Sequence, residues 1–132
     1  MFEKALHDIR VIYEGGMSRT GWGGCIRKED VLLWSEESGL SIKDTFDQVG
    51  IGLARGYLDG TLDWDFCDEA ANDLFGILMG LYVGDKHRVG TPSHFWKFYL
   101  AFDYSETVEP EQAEEVARIE IDEFLSEVPL GQ

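Results

Sequence analysis

Cys25 is the residue best able to act as a nucleophile, because it ends the glycine-rich stretch GWGGC. A thiol becomes reactive when a neighbouring base takes its proton, and the chain offers three histidines, His7, His87 and His94. Sequence gives no geometry that joins any of them to Cys25, and no thiol-protease motif surrounds it. An incidental cysteine after a glycine-rich loop is the simpler interpretation, so we expect no catalytic residue.

Closely spaced carboxylates occur in DGTLDWDFCDE, residues 59–69. Alternating acids are typical of a calcium loop, but the sharp EF-hand turn needs glycine at the sixth position, which Trp64 occupies. The histidines have no zinc-site spacing, and no nucleotide-binding glycine motif is present. The acids are better explained as the start of a helix capped by Asp63 or Asp65, and we expect no metal and no cofactor.

The net charge is the strongest compositional signal, because 26 acids stand against 11 bases for a formal net charge of −15. Such a field repels nucleic acid and anionic membrane surfaces and attracts cationic proteins. The acids are also concentrated: from Asp59 to Asp73 there are six and no base, and from Phe98 to Gln132 there are ten and one base, Arg118. The charge could serve solubility alone, and that interpretation stays open, but the concentration of the acids favours a binding role.

At 132 residues the chain has the size of one domain, which we expect to span residues 1–132. No apolar run approaches the roughly 20 residues that span a bilayer. The first residues, MFEKALHDIR, contain no signal-peptide core, so a cytoplasmic location is expected, with Cys25 and Cys67 as free thiols.

Apolar residues recur at spacings of three and four along most of the chain, which indicates amphipathic helices. The pattern predicts helices over residues 1–14, 28–38, 42–58, 64–82 and 110–127, with a loop at residues 83–90. Cys67 falls on the apolar face of the fourth helix. The sequence thus favours an all-α class, a compact array of about six helices.

The stretch HFWKFYLAFDYSE, residues 94–106, is the one contested element. Thr91 as N-cap and Pro92 in the first helical position favour a helix, whereas a short aromatic run also suits a strand, which would make the class α+β with residues 94–104 as a strand. In a helix, Trp96 and Tyr104 fall outside the apolar face and can reach the surface. The remaining aromatics share one face that we expect to be core: Phe95, Phe98, Tyr99 and Phe102.

FWKFYLAFDYSE, followed by an acidic C-terminal helix, resembles small immunity proteins that bacteria pair with polymorphic and contact-dependent growth-inhibition toxins. The phrase YLAFDYSE at Tyr99–Glu106 is the closest part. The resemblance implies a protein that is not an enzyme and that neutralises a cognate toxin by occluding its active site. Many such toxins are nucleases with basic clefts, so a chain at −15 would mimic the nucleic acid they bind.

Acids beside exposed aromatics form the predicted toxin-binding surface, since tyrosine and tryptophan are favoured at binding hot spots. Its members are Asp59, Asp63, Trp64, Asp65, Asp68, Glu69, Asp103, Tyr104 and Glu106. The rival surface comprises Glu111, Glu114 and Glu115. Two other functions stay open, namely a small cytoplasmic enzyme using Cys25 or the carboxylates of residues 63–69, and an adaptor or regulatory module. The oligomeric state is also open.

Overall fold

The computed structural model describes residues 3–20 and 24–129, and for residues 85–88 it describes the backbone alone. This part of the chain forms six α-helices and no strand. The predicted all-α class is confirmed, and the alternative strand at residues 94–104 is wrong because a helix covers it. The helices are α1 (Glu3–Tyr13), α2 (Lys28–Ser38), α3 (Ile42–Asp59), α4 (Trp64–Val89), α5 (Ser93–Ser105) and α6 (Pro110–Ser126).

Local sequence signals set most of the helix ends. Ser41 Oγ accepts a hydrogen bond of 3.0 Å from a backbone N–H in the first turn of α3, and Asp63 Oδ1 accepts one of 2.8 Å in the first turn of α4. Pro110 begins α6, where its missing N–H would have no partner in the helix. The last turn of α3 ends at Gly60, whose φ of 86° is left-handed and suits glycine.

The predicted loop at residues 83–90 is wrong, because α4 continues to Val89. A single glycine such as Gly84 costs a helix only about 1 kcal/mol, and no proline interrupts this stretch. The helix ends one residue later, at Gly90, where φ is 75°. The Gly90 carbonyl accepts a hydrogen bond of 2.8 Å from the Tyr82 hydroxyl, which ties the chain back to α4 after the turn.

Helix α3 lies at the centre and contacts each of the other five helices. Its closest approach is to α5, where a Cβ added to Gly50 would lie 3.1 Å from the Cα of Phe95. Phe95, Phe98 and Phe102 are fully buried there, as the aromatic face predicted, and Tyr99 is half-buried. Cys67 is also fully buried, on the face of α4 that the sequence assigned to the core.

The N-terminus of α5 is held by a residue from another helix. Thr91 was the expected cap, but α5 begins at Ser93, and Asp47 of α3 accepts the free backbone amides instead. Asp47 Oδ1 lies 3.0 Å from the amide nitrogens of both His94 and Phe95. Asp47 is buried, so α5 is fixed to α3 at a site largely shielded from solvent.

Candidate functional site

The two acidic segments that the sequence placed on one surface meet where α4 begins and α5 ends. The Trp64 indole N–H donates to Ser105 Oγ at 3.0 Å, and the ring packs 6.4 Å from that of Phe102. About two turns further along α4, Asn72 Nδ2 donates to Glu106 Oε2 at 3.1 Å. These contacts join the first turns of α4 to the last turn of α5.

Four acids converge at this junction, and we call them the acidic corner: Asp65, Asp68, Asp103 and Glu106. Burial raises the pKa of Asp68 to about 8, with further contributions from Glu106, Asp65 and Asp103. Hydrogen bonds from Asp68 and Asn72 lower the pKa of Glu106. Asp68 Oδ1 is shielded from solvent and accepts no hydrogen bond from a described residue. Burial and the neighbouring acids therefore favour the protonated form of Asp68, whose O–H is placed to donate to Glu106.

The other predicted acids lie apart from the corner. Asp59 accepts hydrogen bonds from the backbone N–H and hydroxyl of Thr61, which lower its pKa. Asp63 caps α4 and lines a depression of about 230 Å³ together with Arg10 and Tyr13 of α1. Glu69 also acts on Tyr13, whose pKa it helps to raise after burial and the hydrogen bond to Asp73. The base-free acidic run is thus divided between the end of α3 and two sides of α4.

The aromatics that fell outside the core face are exposed, as expected. Trp96 is 37% exposed and Tyr104 55%. Trp96 belongs to a small aromatic group on the outside of the α4–α5 pair, in which Phe75 stacks on Tyr99 with ring centroids 4.2 Å apart. Trp64 differs, because it is half-buried and its N–H is already bonded to Ser105. Tyr104 is the predicted aromatic with the most free surface.

Sequence reasoning missed a groove between α5 and α6, with a volume of about 590 Å³. We call it the α5–α6 groove. Asp103 and Tyr104 line it from α5, so it adjoins the acidic corner. The spacing of Glu120, Glu123 and Glu127 could have indicated one acidic face at the end of α6, because residues three and four apart share a helix face. The remaining lining residues are Lys97, Leu100, Ala101, Thr107, Glu120, Glu123, Phe124 and Glu127.

The rival acids Glu111, Glu114 and Glu115 are exposed on α6 but do not line this groove. Glu114 lies near Tyr57 of α3, and its backbone carbonyl accepts the Tyr57 hydroxyl at 2.8 Å. Arg118 lies over the same tyrosine ring, 5.4 Å from its centroid. The rival surface thus includes the one base of the acidic C-terminal third.

Neither cysteine forms a catalytic constellation within the described ranges. Cys25 is exposed, and no hydrogen bond joins it to His7 or His94; the His87 side chain and residues 21–23 of the glycine-rich stretch lie outside the described residues. Burial raises the pKa of the Cys67 thiol well above its usual range. Among the described residues, no three His, Cys, Asp or Glu side chains are placed to hold a metal ion.

The protonated Asp68 predicts a pH dependence of stability. Its pKa rises from 3.8 to about 8 on folding, so the folded chain holds this proton more tightly. The resulting stabilisation is complete below the unfolded pKa and is lost as the pH rises through 8. Asp68→Asn cannot ionise but can still donate to Glu106. We expect the melting temperature of this variant to exceed that of the wild type by about 3 °C or more at about pH 9. At about pH 4 the two melting temperatures should be nearly equal.

Thermal unfolding followed by circular dichroism at the two pH values measures this difference. Glu69→Gln is the matched control, because it neutralises an exposed acid on the same turn of α4. It should leave the pH dependence as in the wild type. An Asp68→Asn variant with an unchanged pH profile would show that Asp68 ionises normally in the folded chain.

Comparison with known proteins gives no match, whether to a family model, a curated protein or a solved structure. The resemblance of residues 95–106 to immunity proteins therefore stays a prediction. In the described ranges, none of the helices is both long and apolar enough to cross a membrane.

Proposed function

We propose that this protein is an immunity-type inhibitor that binds a cationic toxin domain and occludes its active site. The observation that carries the proposal is the meeting of the acidic corner with exposed Tyr104 at the end of α5. A binding surface needs a packed aromatic as well as charge, and these features adjoin each other here. The net charge of −15 favours a cationic partner over nucleic acid or an anionic membrane.

The corner and Tyr104 would contribute in different ways. The exposed carboxylates of Asp65 and Asp103 would attract lysine and arginine side chains that otherwise bind phosphate, and would thereby raise the association rate. Tyr104 would pack into the interface and slow dissociation. Asp68 and Glu106 would hold α4 against α5 through a hydrogen bond, so their main role would be to fix the position of the other two acids.

Charge reversal tests which surface binds. The Asp65→Lys/Asp103→Lys variant should reduce the association rate constant about ten-fold at low salt, and less at high salt, where screening is strong. The measurement is surface plasmon resonance against the cognate toxin domain, which we expect to be encoded directly upstream of this chain. Glu111→Lys/Glu115→Lys is the matched control, since it makes the same change in net charge on the rival surface. Like Asp65, Glu111 lies in the first turn of its helix.

The control should retain a nearly wild-type rate, and Tyr104→Ala should act on the dissociation rate instead. If the Glu111/Glu115 variant loses association and the Asp65/Asp103 variant does not, the rival surface is the binding face. Co-expression tests the function itself: cells producing the toxin domain should grow when this chain is present. Continued growth arrest, with the chain folded and abundant, would contradict the inhibitor function and leave the adaptor or enzyme alternatives.

A further inference from the structure

The α5–α6 groove has an apolar floor, of which solvent reaches mainly Leu100, since Ala101 and Phe124 are buried. Leu100, Ala101 and Phe124 line it, and Leu100 is 43% exposed. Its volume of about 590 Å³ falls within the range of sites that take a small ligand or a few side chains. Tyr104 adds an exposed aromatic side chain to the same wall. A side chain with an apolar body therefore finds contact area here that the flat acidic surfaces lack.

The rim of the groove is strongly acidic. Asp103, Glu120, Glu123 and Glu127 line it, against a single lysine, Lys97. Lys97 Nζ lies 2.5 Å from Glu127 Oε2, so this pair neutralises itself. Within the described chain, neither Glu120 nor Glu123 forms a salt bridge. The groove thus combines an apolar floor with carboxylates that have no cation of their own.

We propose that the α5–α6 groove binds an arginine of the partner protein together with an adjoining leucine-like side chain. Arginine matches both features, because its planar guanidinium pairs with carboxylates and stacks on aromatic rings such as Tyr104. The apolar neighbour would cover Leu100, the exposed part of the groove floor. A second copy of this chain is a poor occupant, since each copy carries −15. The proposal deepens the proposed function and rests on it for the identity of the partner as a toxin.

The probe is the tripeptide N-acetyl-Leu-Arg-Leu-amide, titrated into ¹⁵N-labelled protein and followed by amide chemical shifts. The shifts should saturate with a Kd of about 1 mM, as expected for a small ligand with few contacts. They should concentrate at residues 97–107 and 120–127. The same peptide with citrulline in place of arginine keeps the shape but lacks the charge. Its affinity should be lower than that of the arginine peptide by about five-fold or more.

Glu120→Gln/Glu123→Gln should weaken the arginine peptide by about five-fold, whereas Glu111→Gln/Glu114→Gln should not change its affinity. The groove is excluded as the site if the peptide does not bind, if the citrulline peptide binds equally well, or if the shifts spread over all acidic surfaces. The outcome is separable from that of the proposed function. Saturable groove binding without protection from the toxin would reject only the inhibitor function, and protection that survives Glu120→Gln/Glu123→Gln would reject only the groove.

Discussion

Asp8→Ala is expected to lower the free energy of unfolding by about 2–4 kcal/mol, because it removes a buried carboxylate that accepts three hydrogen bonds and leaves the buried Trp34 indole N–H without an acceptor. Asp8 Oδ2 accepts hydrogen bonds from Arg19 Nη2 at 2.6 Å and Nε at 3.1 Å, and from the Trp34 indole N–H at 2.8 Å. Asp8 and Trp34 are buried. Truncation therefore removes three hydrogen bonds and leaves the indole N–H of Trp34 without an acceptor in buried surroundings.

Glu37→Ala is the matched control, since Glu37 pairs with the same guanidinium from the exposed side. Its carboxylate lies 2.6 Å from Arg19 Nη1 and 3.2 Å from Lys4 Nζ. The hydrogen bond from Arg19 contributes most to lowering the pKa of Glu37 to about 2. Exposed pairs contribute little to stability, so this variant should cost less than about 1 kcal/mol. Urea denaturation measures both variants, and equal losses would show that burial adds nothing to the Asp8 pair.

The Asp8 network shows where sequence reasoning ends. The apolar spacing of Ala5, Ile9 and Ile12 predicts α1 and its buried face, because that pattern is local. From sequence alone, Asp8 resembles any charged residue on a helix, because its partners lie 11 and 26 residues away in the chain. Only the packing of α1 against α2 reveals that this carboxylate is enclosed and must be paired.

In the candidate site, too, features set by one helix were predictable, and features set by contacts between helices were not. Exposure of Tyr104 follows from helical spacing within α5, and the sequence predicted it. The α5–α6 groove depends on how two helices pair, so neither helix reveals it alone. The acidic corner is intermediate: its four members were among the predicted residues, whereas the hydrogen bond between Asp68 and Glu106 requires a specific α4–α5 contact. Asp59, Asp63 and Glu69 were grouped with them by closeness in sequence, although Asp59 ends α3 and the other two lie on the side of α4 that faces Tyr13.

Asp47→Ala should be the other severe substitution, with a loss of about 2–4 kcal/mol in the free energy of unfolding. Its carboxylate accepts the first free amides of α5, from His94 and Phe95, and its other oxygen lies 3.5 Å from Lys43 Nζ. Negative charge at a helix N-terminus is favourable, and burial strengthens it. Alanine would leave two amides without an acceptor, and the Phe95 amide is in buried surroundings.

The loss should affect the candidate site as well as the fold, because α5 carries both Tyr104 and one side of the groove. Asp44→Ala is the control from the same turn of α3: Asp44 is exposed, and its backbone N–H, which Ser41 caps, is retained. It should cost no more than about 1 kcal/mol. Asp47→Asn keeps one acceptor oxygen and should recover part of the loss. Denaturant titration of the three variants decides the matter. If Asp47→Ala unfolds at the same denaturant concentration as Asp44→Ala, the residues before α5 cap it sufficiently. The hydrogen bonds from α3 would then not position the site.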